Sequence, residues 1–169
     1  MWESVAHDLP IASRRGPIDR RVWCIWGLGL DSLLKHQEGV EAPMSDADLR
    51  AAIERHWAAS QAGDEVAEHA IYTDDAVLEY PQSGERFRGR RNIQGQRGHH
   101  PAQREFVVRR VRGSGDLWIT ELVITYDGKP YDTVSIMEFR SAHVVHETQY
   151  FAEPFEAAAW RAQWAEQPA

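Results

Sequence analysis

The stretch Gln103–Phe151 decides the fold, and it reads QREFVVRRVRGSGDLWITELVITYDGKPYDTVSIMEFRSAHVVHETQYF. Turn signals at Gly113–Asp116, Asp127-Gly128 and Ser141-Ala142 divide it into four segments rich in β-branched and aromatic residues. Such segments, joined by short polar turns, are typical of an antiparallel meander. Asp127-Gly128 is the strongest turn, because both residues tolerate the positive φ angles of a type I′ hairpin. The stretch therefore predicts a curved four-stranded sheet whose hollow face is covered by helices from the preceding residues.

The composition is that of a globular domain with one core and an appendage: of 169 residues, 43% are hydrophobic and 27% charged. The net charge of −7 argues against a nucleic-acid partner, because phosphate binding needs clustered Lys and Arg. Arginines do cluster in two places, but acidic residues surround them, so we expect these arginines to lie on solvated faces of the domain. These arginines are Arg86, Arg88, Arg90, Arg91, Arg109, Arg110 and Arg112.

Cysteine content and hydropathy indicate the compartment. Cys24 is the only cysteine, which excludes an intrachain disulfide and favours a reducing, cytoplasmic location. No apolar run approaches the ~20 residues of a membrane span, so no membrane partner is expected.

Residues 1–43 differ from the remainder. An apolar run, Val22–Leu30, follows Arg20-Arg21 as it would in a signal peptide. The run starts late, contains two Trp and two Gly, and ends at Asp31 without a small-residue cleavage site, which argues against that interpretation. The linker-like Glu38–Pro43 follows. We therefore predict a flexible or non-native extension over residues 1–43 and a folded α+β domain over residues 44–169.

The first half of the predicted domain shows helix signals. Ser45 and Asp48 have the spacing of an N-cap and an acidic third residue. The helix they begin places apolar residues on one face and ends at Gly63. Its face consists of Leu49, Ile53, Trp57 and Ser60, with Ala52 and His56 beside them. Asp64 caps a second helix, whose apolar residues are Val66, Ala67, Ala70 and Ile71.

Shorter elements are expected between these helices and the meander. Thr73–Asp75 should break the second helix, and residues 76–80 should form a strand that stops at Pro81. Residues 85–88 then return as the other half of a small hairpin, and residues 90–100 form a weak helix. After the meander, Trp160 and Trp164 share one helical face. The order of helices, hairpin, helix and meander predicts an α+β fold.

Several short segments occur together in a familiar order. They are His56-Trp57, Gly63-Asp64, Ile71–Pro81, Phe87–Gly89, Tyr126–Pro130, Met137–Phe139, Val144-Val145 and Tyr150-Phe151. With them, Met44–Phe155 resembles the SnoaL-like and ketosteroid-isomerase-like group of the nuclear transport factor 2 superfamily. The resemblance implies a cone in which a bent antiparallel sheet wraps around helices and encloses an apolar cavity, usually in a homodimer.

The resemblance does not by itself select a function. The superfamily includes isomerases, polyketide cyclases, dehydratases, epoxide hydrolases, transport factors and binding-only modules, so function must be argued from the site. The isomerase uses an Asp base and an oxyanion hole of Tyr and protonated Asp. In this chain the matching positions are Tyr80 for the base, His56 for the tyrosine and the neighbourhood of Ser135 for the neutral aspartate. None of the three is kept, which argues against steroid isomerisation by that mechanism.

Strand alternation, in the register that the resemblance implies, selects the side chains that face the cavity. Those predicted to point inward from the meander are Trp118, Thr120, Leu122, Ile124, Tyr126, Thr133, Ser135, Met137, Val145, Glu147, Gln149 and Phe151. Leu78 and Tyr80 from the small hairpin, with His56 and Trp57 from the first helix, complete the wall. A one-residue slip in 117–126 would reverse that strand's faces.

Glu147 is the carboxylate of this set, and we expect it to act with two neighbours. Desolvation raises the pKa of a buried carboxyl and a nearby His56 lowers it, so the pair suits acid–base chemistry near neutral pH. Tyr80 would donate a hydrogen bond to a developing oxyanion. The expected ligand contacts are Trp57, Leu78, Trp118, Leu122, Tyr126, Ser135, Met137, Gln149 and Phe151. The partner is then an apolar small molecule, and no cofactor is expected. A structural Glu147 and a satisfied core His56, in a non-catalytic binding or dimerisation module, remain the alternative.

The remaining histidines and the outer sheet face give two further expectations. His99, His100, His143 and His146 lack metal-ligand spacing, so no metal site is predicted. Glu121, Glu138 and His146 should form a cross-strand charge ladder with Arg109 or Arg110 on the outer face. The apolar residues of that face predict a homodimer. They are Ile119, Val123, Val134, Ile136, Val144 and Tyr150.

Overall fold

The computed structural model of the protein describes residues 44–166. The helices are α1 (Asp46–Ala62), α2 (Glu65–His69), α3 (Arg90–Gly98) and the 3₁₀ helix Ala159–Trp164. The strands are β1 (Tyr72–Tyr80), β2 (Glu85–Arg88), β3 (Arg104–Ser114), β4 (Leu117–Tyr126), β5 (Lys129–Arg140) and β6 (His143–Ala152). The predicted α+β class and the four-stranded meander are confirmed. The predicted extension over residues 1–43 lies outside the described residues.

One curved, open sheet holds all six strands in the order β2-β1-β6-β5-β4-β3. Every neighbouring pair is antiparallel except β1 and β6, which run parallel. The last strand of the meander therefore lies between β1 and β5, in the interior of the sheet. Within residues 44–166 no helix is long and apolar enough to cross a membrane.

Helix α1 forms as its sequence predicts. Ser45 and Asp48 make a reciprocal capping box, and Gly63 ends the helix in the left-handed conformation at φ 70°. The buried face combines the predicted apolar residues with two polar ones, His56 and Ser60. This face packs against the hollow side of the sheet, where Trp57 Nε1 donates to Thr120 Oγ1 at 3.2 Å.

Helix α2 is capped by Asp64 as predicted, but its buried face is not the predicted one. Val66 is 79% exposed and Ala67 is also exposed, whereas Glu68 and His69 are buried. With five residues, α2 makes little more than one turn, so the packing of its neighbours decides which side is covered. Residues Thr73–Asp75, expected to break this helix, already belong to β1.

The meander follows its turn chemistry closely. Asp127 and Gly128 adopt positive φ angles of 47° and 84°, as a type I′ turn requires. Alternation along β4 and β5 places the predicted inward residues in the core. Those buried are Trp118, Thr120, Leu122, Ile124, Thr133, Ser135 and Met137.

A bulge in β6 reverses one predicted face. Phe139 pairs with Val144 and Glu138 pairs with His146, so Val145 is the extra residue. Because the alternation shifts there, Val144 is 0% exposed and belongs to the core, and its assignment to the outer face was wrong. Glu147 and Gln149 lie beyond the bulge and point inward as predicted.

The outer face of the sheet carries apolar and charged side chains. Ile119 and Tyr150 are exposed, and three further apolar residues are half-buried: Val123, Val134 and Ile136. The predicted charge ladder is present, since Arg110 pairs with Glu121 and His146 Nδ1 lies 2.9 Å from Glu138. Trp160 and Trp164, in the 3₁₀ helix, are each 73% exposed.

Candidate active site

Glu147 lies in the centre of the sheet, where four side chains donate to its carboxylate. Ser135 Oγ and Gln149 Nε2 bind Oε1 at 2.6 and 2.8 Å. Arg97 Nη2 binds Oε2 at 3.0 Å, and the Tyr72 hydroxyl donates to the same oxygen. Each carboxylate oxygen therefore accepts two hydrogen bonds, which uses its ordinary capacity.

The charges of this group support each other. Burial disfavours the charged form of Glu147, but the positive charge of Arg97 and the hydrogen bonds from Ser135 and Tyr72 together outweigh it, so the pKa of Glu147 lies below its usual value. Burial raises the pKa of Tyr72 well above its ordinary range, so the hydroxyl keeps the proton that it donates. Glu147 and Arg97 thus form an ionised pair in which the carboxylate is fully hydrogen-bonded. This arrangement leaves Glu147 no free lone pair for a substrate proton.

Sequence reasoning missed Arg97. It lies in α3, four residues after the buried Ile93, and is 7% exposed. The i, i+4 spacing with Ile93 was the available signal, because residues at that spacing share a helix face. Its Nη1 donates to the Tyr72 hydroxyl at 2.8 Å and lies 3.8 Å from Glu68 Oε1. Arg97 is therefore placed between two buried carboxylates, Glu68 and Glu147.

His56 is buried near this pair without a hydrogen bond to Glu147. Its Nδ1 lies 2.6 Å from the backbone oxygen of Glu68, and a carbonyl can only accept, so Nδ1 carries the proton. Burial, helped by the charge of Arg97, lowers the pKa of His56 to about 4. The imidazole is thus neutral near pH 7. It lines a separate recess of about 240 Å³, with Ala52 and Ile71.

A small cavity lies between α1, α3 and the sheet. Its volume is about 30 Å³. The residues that line it are Trp57, Glu68, Tyr80, Gln96, Arg97, His100, Arg104, Phe106, Ile124, Tyr126 and Gln149. The cavity has aromatic walls and a charged floor, so it is less apolar than the sequence predicts.

Four of the predicted site residues line this cavity: Trp57, Tyr80, Tyr126 and Gln149. The others do not. Six are buried outside it, namely Leu78, Trp118, Leu122, Ser135, Met137 and Glu147, and Phe151 is half-buried against the Tyr80 ring. The structure therefore does not join Glu147, His56 and Tyr80 by direct hydrogen bonds. It separates them into a buried ion pair, a neutral core histidine and a cavity-lining phenol.

Tyr80 keeps its hydroxyl proton available. The hydroxyl accepts from Gln96 Nε2 at 3.0 Å, and no acceptor for its own proton occurs within the described residues. At the other side of the cavity Tyr126 stacks on His100, with ring centroids 4.6 Å apart. Burial raises the pKa of Tyr126 to about 12. The Tyr126 phenol is thus a neutral hydrogen-bond donor near pH 7.

Glu68 is the second residue that sequence reasoning missed. It is 2% exposed and lines the cavity, and no group in residues 44–166 donates a hydrogen bond to its Oε2. A glutamate in a short polar helix carries no local signal of burial. Over the same residues, no three His, Cys, Asp or Glu side chains are placed to hold a metal ion. Glu68 and Arg97 therefore bring a buried carboxylate and a buried guanidinium to the cavity, and one oxygen of that carboxylate has no donor among the described residues.

The sequence model of the SnoaL-like domain matches residues 53–147, more than half of the chain. The protein belongs to the SnoaL-like family. The matched range begins in α1 and ends at Glu147, so it contains Glu68, Arg97 and most of the cavity lining.

Solved structures agree with this family. An NTF-2 like protein of unknown function from Burkholderia xenovorans LB400 is 57% identical; the match covers 75% of this chain and 99% of that one, with a TM-score of 0.71. A protein assigned as a ketosteroid isomerase, from Kribbella flavida DSM 17836, is 22% identical over 75% of this chain and 95% of its own, with a TM-score of 0.68.

A more distant likeness supports the fold alone. An LEH-like epoxide hydrolase from M. tuberculosis is 20% identical, covering 62% of this SnoaL-like chain and 83% of its own, with a TM-score of 0.53. No curated protein has a sequence that matches this chain. The function of this SnoaL-like protein must therefore be argued from its own cavity.

Proposed function

We propose that the protein binds a small, largely apolar, carbonyl-bearing molecule in this cavity and acts on it as a cofactor-free acid–base enzyme. Isomerisation, cyclisation, dehydration and water addition are the reaction types of this class. The observation that carries the proposal is the composition of the cavity. Aromatic rings, such as Trp57 and Phe106, form walls around a buried carboxylate and a buried guanidinium, those of Glu68 and Arg97. A few convergent polar groups in an otherwise apolar pocket are typical of small-molecule sites.

The size of the cavity limits how a ligand enters. About 30 Å³ is close to the volume of one water molecule in the liquid and far below the ~300–1,000 Å³ of ordinary ligand pockets. An organic ligand must therefore displace side chains at the outer end of the cavity. His100 is exposed there, and Gln96, Arg104 and Tyr126 are half-buried. We infer that the ligand enters by separating the His100–Tyr126 stack.

A non-catalytic ligand-binding or dimerisation module is the second candidate, and one observation favours it. Glu147, the carboxylate that the sequence offers as the base, has both oxygens occupied by hydrogen bonds. Under this alternative the Arg97–Glu147 pair stabilises the fold and the cavity only binds. Turnover of a bound ligand would separate the two candidates.

Binding is tested by saturation-transfer NMR with cyclohex-2-enone, after native mass spectrometry for a ligand that co-purifies. Gln96→Trp places an indole in the cavity and should abolish the transfer signal. Gln94→Trp is the matched control, because Gln94 is half-buried on the same helix but lines a different recess. We expect signal from the wild type and from Gln94→Trp. Equal signals from both variants, or none from the wild type, would contradict a ligand site in this cavity.

A further inference from the structure

Three buried side-chain atoms in the first two helices have no hydrogen-bond partner among the described residues. They are His56 Nε2, Glu68 Oε2 and His69 Nε2. An unsatisfied buried polar atom is destabilising, so three of them close together in the sequence require an explanation.

All three atoms are hydrogen-bond acceptors when Glu68 is ionised. Nδ1 of His69 lies 2.7 Å from the backbone oxygen of Glu65, and Nδ1 of His56 lies 2.6 Å from that of Glu68. Each Nδ1 therefore carries a proton, and because burial lowers the pKa of both rings, each Nε2 is a bare lone pair near pH 7. Neither histidine can donate to Glu68 in this state.

Arg97 does not satisfy Glu68 either. Its Nη1 donates to Tyr72, its Nη2 donates to Glu147, and its closest approach to Glu68 is 3.8 Å, which is too long for a hydrogen bond. The two carboxylates beside Arg97 are thus unequal. Glu147 has four donors, whereas Glu68 keeps a free oxygen and lines the cavity.

From this inequality we propose that Glu68 is the catalytic base of the cavity and takes a proton from a carbon acid bound there. The step rests on the proposed function. The carboxylate oxygen forms an O–H bond as the substrate C–H bond breaks. The C–H electron pair becomes the C=C bond of an enolate, whose oxygen takes up the negative charge. Return of the proton to the same or another carbon restores the Glu68 carboxylate.

Tyr80 is placed to receive the negative charge formed in that step. Its hydroxyl lines the same cavity and already accepts from Gln96, so its own proton is free to donate to the enolate oxygen. Arg97, held by Glu147, is a positioning residue that keeps a positive charge near Glu68 without neutralising it through a hydrogen bond.

The test uses nitroethane, a compact carbon acid whose planar nitro group resembles a conjugated carbonyl. Exchange of its α-protons in D₂O is followed by ¹H NMR, and its binding is measured separately by saturation transfer. Glu68→Gln keeps the shape of the side chain and removes the base. Glu65→Gln is the matched control, because Glu65 is an exposed carboxylate on the same helix. Thermal unfolding of both variants checks that they fold.

We expect the wild type and Glu65→Gln to accelerate exchange and Glu68→Gln to lose at least about 100-fold of that acceleration, the usual contribution of a general base. Binding of nitroethane should persist in Glu68→Gln. Exchange that is unchanged in a folded Glu68→Gln, or binding to the wild type without accelerated exchange, would overturn the assignment of Glu68 and leave the binding site intact. Absence of nitroethane binding would instead count against the proposed function.

Discussion

The buried ion pair makes a sharp prediction about stability. Substituting Arg97→Met removes the guanidinium but keeps an unbranched apolar side chain of similar reach. Glu147 then remains 0% exposed with no cation beside it. Breaking a buried pair by removing one partner costs about 3–5 kcal/mol, roughly a fifth or more of the stability of an ordinary domain. We expect a loss of that size in urea unfolding at pH 7.

The effect should depend on pH with a definite sign. In the wild type the pKa of Glu147 is lowered, so its contribution to stability is present above the ordinary Glu value of about 4.3 and is lost as the pH falls through the lowered pKa. Without Arg97, burial dominates and the pKa of Glu147 rises above its unfolded value. The deficit of Arg97→Met relative to the wild type should therefore grow as the pH rises from about 4.3 toward neutrality.

Two further variants complete this experiment. Arg91→Met changes an exposed arginine on the same helix and should alter stability by no more than about 0.5 kcal/mol. The double variant Arg97→Met/Glu147→Met should lose less than the sum of its single variants, since position 147 no longer carries an unpaired charge. A deficit below about 1 kcal/mol for Arg97→Met, or one independent of pH, would refute the assignment of this pair as a buried ionised contact.

Three other predictions follow from the same structure. The pKa of His56 is lowered from 6.5 to about 4, so the free energy of unfolding of the wild type should fall by about 3 kcal/mol as the pH decreases from 6.5 to about 4. In urea titrations, His56→Gln should lack this pH-dependent part of the stability. A chain that begins at Met44 should keep the full cooperative transition in calorimetry, whereas a large drop in Tm would show that residues 1–43 stabilise the domain. We propose a homodimer through the outer sheet face. Ile136→Asp should give monomers or aggregates, whereas Val108→Asp, on the exposed edge strand, should leave the dimer intact. A monomeric wild type in light scattering at micromolar concentration would contradict the proposal.

The sequence alone determined those features that depend on near neighbours. The Asp127-Gly128 turn, the capping box of Ser45 and Asp48, and the end of α1 at Gly63 each rest on the conformational preferences of a few adjacent residues. Alternation along β4 and β5 likewise follows from strand geometry once the turns are in place. Together with the family resemblance, these local signals predicted the fold and the inward direction of Glu147.

Only the tertiary structure decided which groups meet. Arg97 and Glu147 are 50 residues apart, and their contact depends on where α3 packs against β1, the strand beside β6. Glu68 is buried because neighbouring elements cover the single turn of α2. Hydrophobic periodicity could not predict this burial, because one turn is too short to show a pattern. Val144 moved to the core because the bulge at Val145 shifts the register of β6, and register depends on the partner strand. Long-range packing, which no short segment encodes, therefore determined which residues form the candidate site.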